Sequence, residues 1–142
     1  MSPMSLSIRN QLPGTVTALT PGEVMATVKV RLTGGQEITA AITLESAEEL
    51  GLAAGTAVRA LVKSTEVSLA TAPVEGLSIR NQLPGTVTAV ATGGAMASVK
   101  VAVDGGELTS AITKDAVTDL ALTTGTPVVA LIKSTEISLA TA

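Results

Sequence analysis

The chain has 142 residues, 46% of them apolar, and a formal net charge of −3. It contains no Phe, Tyr, Trp, Cys or His. These absences exclude disulfides and thiolate metal sites, remove the commonest general base and transition-metal ligand, and leave no aromatic platform for single-stranded nucleic acid.

Any core must be built from Val, Leu, Ile, Ala and a few Met, which bury less area apiece than aromatic rings. Small aliphatic cores of this kind need each other, or other subunits, so an oligomer is expected. The net charge divides as −1 in each half and −1 from Glu75 between them, with no polybasic run to meet nucleic acid or anionic lipid. Residues 1–5 lack the basic start and apolar run of a signal peptide. No apolar stretch approaches the roughly 20 residues that span a bilayer. The expectation is a soluble, cytoplasmic protein with no membrane or nucleic-acid partner.

Leu6–Ala18 returns unchanged as Leu77–Ala89. One module is therefore written twice, at residues 5–72 and 77–142, with Pro73-Val-Glu-Gly76 as the linker. In chain order, Thr15–Leu19 alternates after a Pro-Gly break and reads as a strand. Met25–Leu32 sets Val28, Val30 and Leu32 against Thr27, Lys29 and Arg31. Gly34-Gly35 is a hairpin signal, and Glu37–Thr43 is the next strand. Ser46–Gly51 is the one helical stretch, with a cap offered by Leu44-Glu-Ser46 and a stop at Gly51. Val58–Lys63 and Glu66–Ala70 complete the module. The second repeat follows the same plan, with Lys114–Leu120 as its helical turn. Five strands with a short helix between the third and fourth predict an all-β chain of two tandem OB-type Greek-key barrels.

Three stretches could carry chemistry. Ser7-Ile-Arg-Asn10, repeated at Ser78–Asn81, offers an Arg with five donors, a hydroxyl and backbone N–H groups, a set suited to a tetrahedral oxyanion. The alternative is a solvated Arg beside a turn. Lys63-Ser-Thr-Glu66, matched by Lys133–Glu136, adds a compact charge and adaptable donors, or simply a solvated strand end. Thr39–Thr43 and Thr109–Thr113 are strand threonines, there for β-propensity unless their hydroxyls face a cation. The carboxylates Glu45, Glu48, Glu49, Asp115 and Asp119 read as the polar face of the helix. Neither glycine pair sits in a phosphate-loop context.

Together, Ser-Ile-Arg-Asn-Gln, the following Gly14-Thr-Val16, the Ile-Thr-Ala-Ala-Ile-Thr strand and the terminal Lys-Ser-Thr resemble the Mop domain of the molbindin family. The resemblance covers almost all of both repeats and implies OB-like barrels that hold oxyanions at interfaces between modules. It implies a trimer for a tandem chain. One site would draw Ser7, the backbone of Ile8, Arg9, Lys63 and Ser64 from one module, with Thr43 and Ser46 from a partner module. The matching set is Ser78, Ile79, Arg80, Lys133, Ser134 and Thr113, where Ala116 replaces the second hydroxyl. Near the threefold axis, Met25 and Met96 stand where the family carries Asn. A thioether cannot donate a hydrogen bond, so axial sites there are lost or rely on backbone N–H groups.

The implied function is molybdate or tungstate binding for molybdenum storage and homeostasis, with no metal bound directly by side chains and no catalysis. The alternatives are an oxyanion-sensing accessory module that acts through a protein partner, and a structural oligomer without ligand.

Overall fold

The structure, a computed structural model, describes residues 6–141. The first repeat forms β1 (Asn10–Pro21), β2 (Met25–Leu32), β3 (Glu37–Thr43), α1 (Leu44–Glu49), β4 (Ala57–Val62), a 3-10 turn (Ser64–Glu66) and β5 (Ser68–Ala70). The second forms β6 (Asn81–Thr92), β7 (Met96–Val103), β8 (Gly106–Thr113), α2 (Lys114–Asp119), β9 (Pro127–Ile132), a 3-10 turn (Ser134–Glu136) and β10 (Ser138–Thr141). The expected five strands and one short helix per repeat are present. β2 and β3 have the expected limits, and β2 alternates exposed and buried residues along its whole length.

The first strand is longer than its sequence suggests. Pro13-Gly14 does not break it: β1 runs from Asn10, pairing with β4 on one side and β2 on the other. The Pro13 carbonyl accepts from the Thr33 N–H at 3.2 Å, so its nitrogen also faces the side where β2 has already ended. The missing N–H therefore costs no ladder bond. A bulge at Thr17 shifts the β1–β2 register, and Thr88 repeats it in β6–β7.

The helix cap also differs. Thr43, not the Leu44–Ser46 stretch, caps α1: its hydroxyl accepts the Ser46 N–H at 3.1 Å. Thr113 does the same for the Ala116 N–H in α2. Gly51 ends α1 as expected, at φ +63°. Its counterpart is Ala121, which holds φ +52° with a side chain.

The strands form two antiparallel five-stranded sheets, ordered β10-β4-β1-β2-β3 and β5-β9-β6-β7-β8. The fifth strand of each repeat therefore belongs to the other repeat's sheet. β10 pairs with β4 from Ser138↔Leu61 to Thr141↔Val58, and β5 pairs with β9 from Ser68↔Leu131 to Ala70↔Val129. The outer strands β10 and β3 approach each other, as do β5 and β8, and each sheet curls into an OB-like barrel. The aliphatic cores merge into one buried cluster that runs from Leu12 and Val16 through Val28 and Val30 to Val99, Val101 and Ile132.

The two β-hairpin tips also meet. The turn after β2 lies so close to Asp104-Gly105 that a Cβ on Gly34 would run into the Asp104 carbonyl group and lie 2.7 Å from the Gly105 nitrogen. Gly34→Ala should therefore lower stability by about 1–3 kcal/mol, because backbone cannot yield as a side chain can. Urea unfolding measures it, and an unchanged midpoint would show that the tips separate freely. Ala121→Gly should stabilise by up to about 1 kcal/mol, relieving an alanine held in the left-handed region. Thermal melting reads that gain directly.

Candidate functional site

The repeated Ser-Ile-Arg-Asn-Gln segment leads into the central strand of each barrel. Its Asn and Gln hold it in place. Asn10 is 2% exposed and pairs with Thr109 of β8 in the opposite barrel: its Nδ2 donates to the Thr109 carbonyl at 2.9 Å, and its Oδ1 accepts the Thr109 N–H at 2.8 Å. Asn81, 4% exposed, makes the reciprocal pair with the Thr39 carbonyl and N–H of β3, both at 2.9 Å. Gln11 donates to the Ile8 carbonyl at 3.0 Å, and Gln82 to the Ile79 carbonyl at 3.1 Å. Gln82 also pairs with both backbone groups of Val74 in the linker. The amides fix the backbone from which Ser7 and Arg9, and Ser78 and Arg80, project.

The second cationic stretch comes to the same place. Lys63 leads into the 3-10 turn Ser64–Glu66, whose Glu66 N–H bonds back to the Lys63 carbonyl at 2.9 Å. The first N–H groups of such a turn have no partner within it. Ser7, Ile8, Arg9, Lys63, Ser64 and Thr65 together line a pocket of about 240 Å³. Arg9 and Lys63 are exposed, while Ile8 and Ser64 are half-buried. The pocket thus offers an Arg, a Lys, hydroxyls and backbone donors, with no carboxylate in its lining. In the second repeat, Asn81 Nδ2 lies 3.5 Å from Ser134 Oγ, which ties the Ser78–Asn81 segment to the Lys133-Ser134 stretch.

Thr43 and Ser46 lie elsewhere in the chain. Thr43 Oγ donates to Ser46 Oγ at 2.8 Å, and Thr43 lines a separate pocket of about 400 Å³ with Glu23, Val24, Leu44, Glu45 and Glu48. Three carboxylates make that pocket unsuited to an anion without outside cations. Thr113 is exposed at the start of α2. Met25 and Met96 are exposed, as is Val24, at 72%. Among the described residues, no cluster of three or more His, Cys, Asp or Glu could hold a metal ion. No described helix is long and apolar enough to cross a membrane.

Sequence reasoning missed the work of Asn10, Gln11, Asn81 and Gln82. The signal available was their identity in both copies. An Asn opening a long apolar strand is otherwise disfavoured, and here it is buried because its amide replaces a peptide group.

Comparison with known proteins gives concordant matches. The model of the TOBE domain matches residues 6–69 and again 77–139. The chain is 42% identical over 138 residues to the molybdenum transport protein ModE of Azotobacter vinelandii, covering 96% of this chain and 51% of that protein. It is 41% identical over 136 residues to the molybdenum-pterin-binding protein MopB of Rhodobacter capsulatus, covering 94% and 50% respectively. The chain thus spans about half the length of these curated relatives. A solved structure of the cytoplasmic molybdate-binding protein ModG, with molybdate bound, superposes with a TM-score of 0.94 at 45% identity, covering 98% of this chain and all of the other.

Asn10→Ala should cost about 2–4 kcal/mol, since it removes two hydrogen bonds and leaves both Thr109 backbone groups without them. Denaturant unfolding of this variant checks it. A loss below about 0.5 kcal/mol would show that the barrels are held together without the amide.

Proposed function

The chain belongs to the TOBE-domain family as a tandem pair of Mop modules, a molbindin, and on that premise we propose that it binds molybdate or tungstate for molybdenum storage and homeostasis in the cytoplasm. The observation that carries this is the pocket where Ser7, Ile8 and Arg9 meet Lys63, Ser64 and Thr65. Molybdate is a tetrahedral dianion at neutral pH. Arg9 and Lys63 offset its charge, while the hydroxyls of Ser7 and Ser64 and the backbone N–H groups of the segment fix its oxygens. Each charge-assisted bond contributes roughly 1.5–3 kcal/mol. The molybdate-bound relative supports the choice of anion.

The pocket is open on one side in the single chain. We place Thr43 and Ser46 of another module across that opening in a homotrimer, with Thr113 serving the Ser78, Ile79, Arg80, Lys133 and Ser134 set. Their positions away from Arg9 and Lys63 within one chain are consistent with a contribution from a partner. The carboxylates around Thr43 then lie near the anion and require the cations of the neighbouring module. Sulfate has the same charge and shape as molybdate but is smaller. A rigid cavity sized for the larger ion leaves it incompletely bonded, and selectivity follows from that mismatch. Every step is binding, without bond making.

Titration calorimetry with molybdate, tungstate and sulfate tests the proposal. The expected result is binding of the two larger anions with sulfate at least about tenfold weaker. Equal sulfate binding, or none of the three, would overturn it. The double variant Arg9→Ala/Arg80→Ala should weaken molybdate binding roughly ten- to hundredfold yet leave the proposed trimer intact, as light scattering would read. Unchanged affinity would show that the anion sits elsewhere.

A further inference from the structure

The two repeats differ in one buried polar side chain at their junction. The turn Ser64–Glu66 packs on β8, and the turn Ser134–Glu136 packs on β3. β8 carries Ser110, which is fully buried at 0% exposure, and its hydroxyl donates to the Val67 carbonyl at 2.5 Å. The equivalent residue of β3 is Ala40, buried to the same degree, and the equivalent of Val67 is Ile137. One turn is therefore tied to the strand it rests on by a buried side-chain hydrogen bond. The other has only an alanine methyl in that place.

Val67 is the residue that closes the turn. Its N–H reaches back to the Ser64 carbonyl at 3.4 Å. A bond to its own carbonyl thus sets the position of the turn whose beginning, Lys63-Ser64-Thr65, forms one wall of the pocket. A buried hydroxyl that loses its acceptor is costly, so Ser110 enforces that position. Holding the wall in place lowers the ordering cost of binding.

We propose that Ser110 is a positioning residue for the Ser7–Arg9–Lys63–Ser64 pocket, and that the two oxyanion pockets of each chain are consequently unequal, the first tighter than the second. This rests on the oxyanion-binding proposal above. Asn10 and Asn81 make the same two bonds to the opposite barrel, and the further reach of Asn81 Nδ2 to Ser134 Oγ, at 3.5 Å, is long for a hydrogen bond, so the inequality comes from Ser110 against Ala40.

Two backgrounds separate the pockets: Arg80→Ala leaves the first, and Arg9→Ala leaves the second. Molybdate titrations should find the first roughly three- to tenfold tighter, the worth of one hydrogen bond. Adding Ser110→Ala should remove that advantage in the Arg80→Ala background and leave affinity unchanged in the Arg9→Ala background. Alanine fits the fold here, as Ala40 demonstrates. Amide hydrogen exchange of the unaltered protein should also be slower over residues 64–67 than over 134–137. Equal affinities with equal exchange, or an equal loss in both backgrounds, would overturn the proposal. A protein that binds no molybdate at all would instead overturn the oxyanion-binding proposal itself.

Discussion

An asparagine side chain that behaves as a stray peptide group holds this molecule together. Asn10 and Asn81 each offer one carbonyl and one amide N–H to the edge of a strand in the opposite barrel, satisfying an N–H and a C=O there. Among the described residues, the only buried polar side chains are these two and Ser110, and all three join residues of one repeat to the other. Elsewhere the interior is aliphatic, with no ring large enough to fix the angle between two sheets. Aliphatic burial is non-directional, so the orientation of the barrels depends on directed bonds, these side-chain ones and the ladders of the exchanged strands β5 and β10. The residue next to each Asn is the cationic Arg9 or Arg80. The bonds that join the barrels therefore also place the charges.

Much of the fold was legible. Alternation in Met25–Leu32 marked a strand with one buried face, and the structure buries Ala26, Val28, Val30 and Leu32 as that pattern requires. Glu37–Thr43 and the glycine stop at Gly51 were equally plain. The exchange of β5 and β10 was not. Glu66-Val-Ser-Leu-Ala and Glu136-Ile-Ser-Leu-Ala are nearly the same string, and each can pair with either β4 or β9 in the same register. Local sequence holds no preference between the two arrangements. The choice is made by chain connectivity and by the Lys63–Glu66 turn, which carries the strand across to β8. Pro13-Gly14 misled for a related reason: a proline interrupts a strand only where a neighbour awaits its N–H, and β2 has ended by then.

The chemistry was legible in kind and less so in grouping. The cations and hydroxyls of Ser7, Arg9, Lys63 and Ser64 could be recognised as donors, and the fold gathers them. Thr43 illustrates the limit. Its hydroxyl is equally suited to a ligand and to a helix cap, and within one chain it caps α1 and bonds Ser46. Nothing in a threonine announces which hydrogen bond it makes, because the choice depends on what lies across an interface. Ser110 reads in the same way: its partner is a carbonyl 43 residues away in sequence.

The crossed strands have a consequence for how the protein is made. The first barrel is bounded by residues 138–141, although every other part of it precedes residue 63. A nascent chain emerging from the ribosome can form the β1–β4 sheet early but cannot seal it until the second module has been synthesised. Until then the free edge of β4 is an unpaired template. A β10 from another ribosome on the same message presents the same residues to it. The short linker works against that exchange, since it keeps the chain's own late strand at high local concentration. Fidelity in this protein is thus a race between its own distant strand and those of its neighbours.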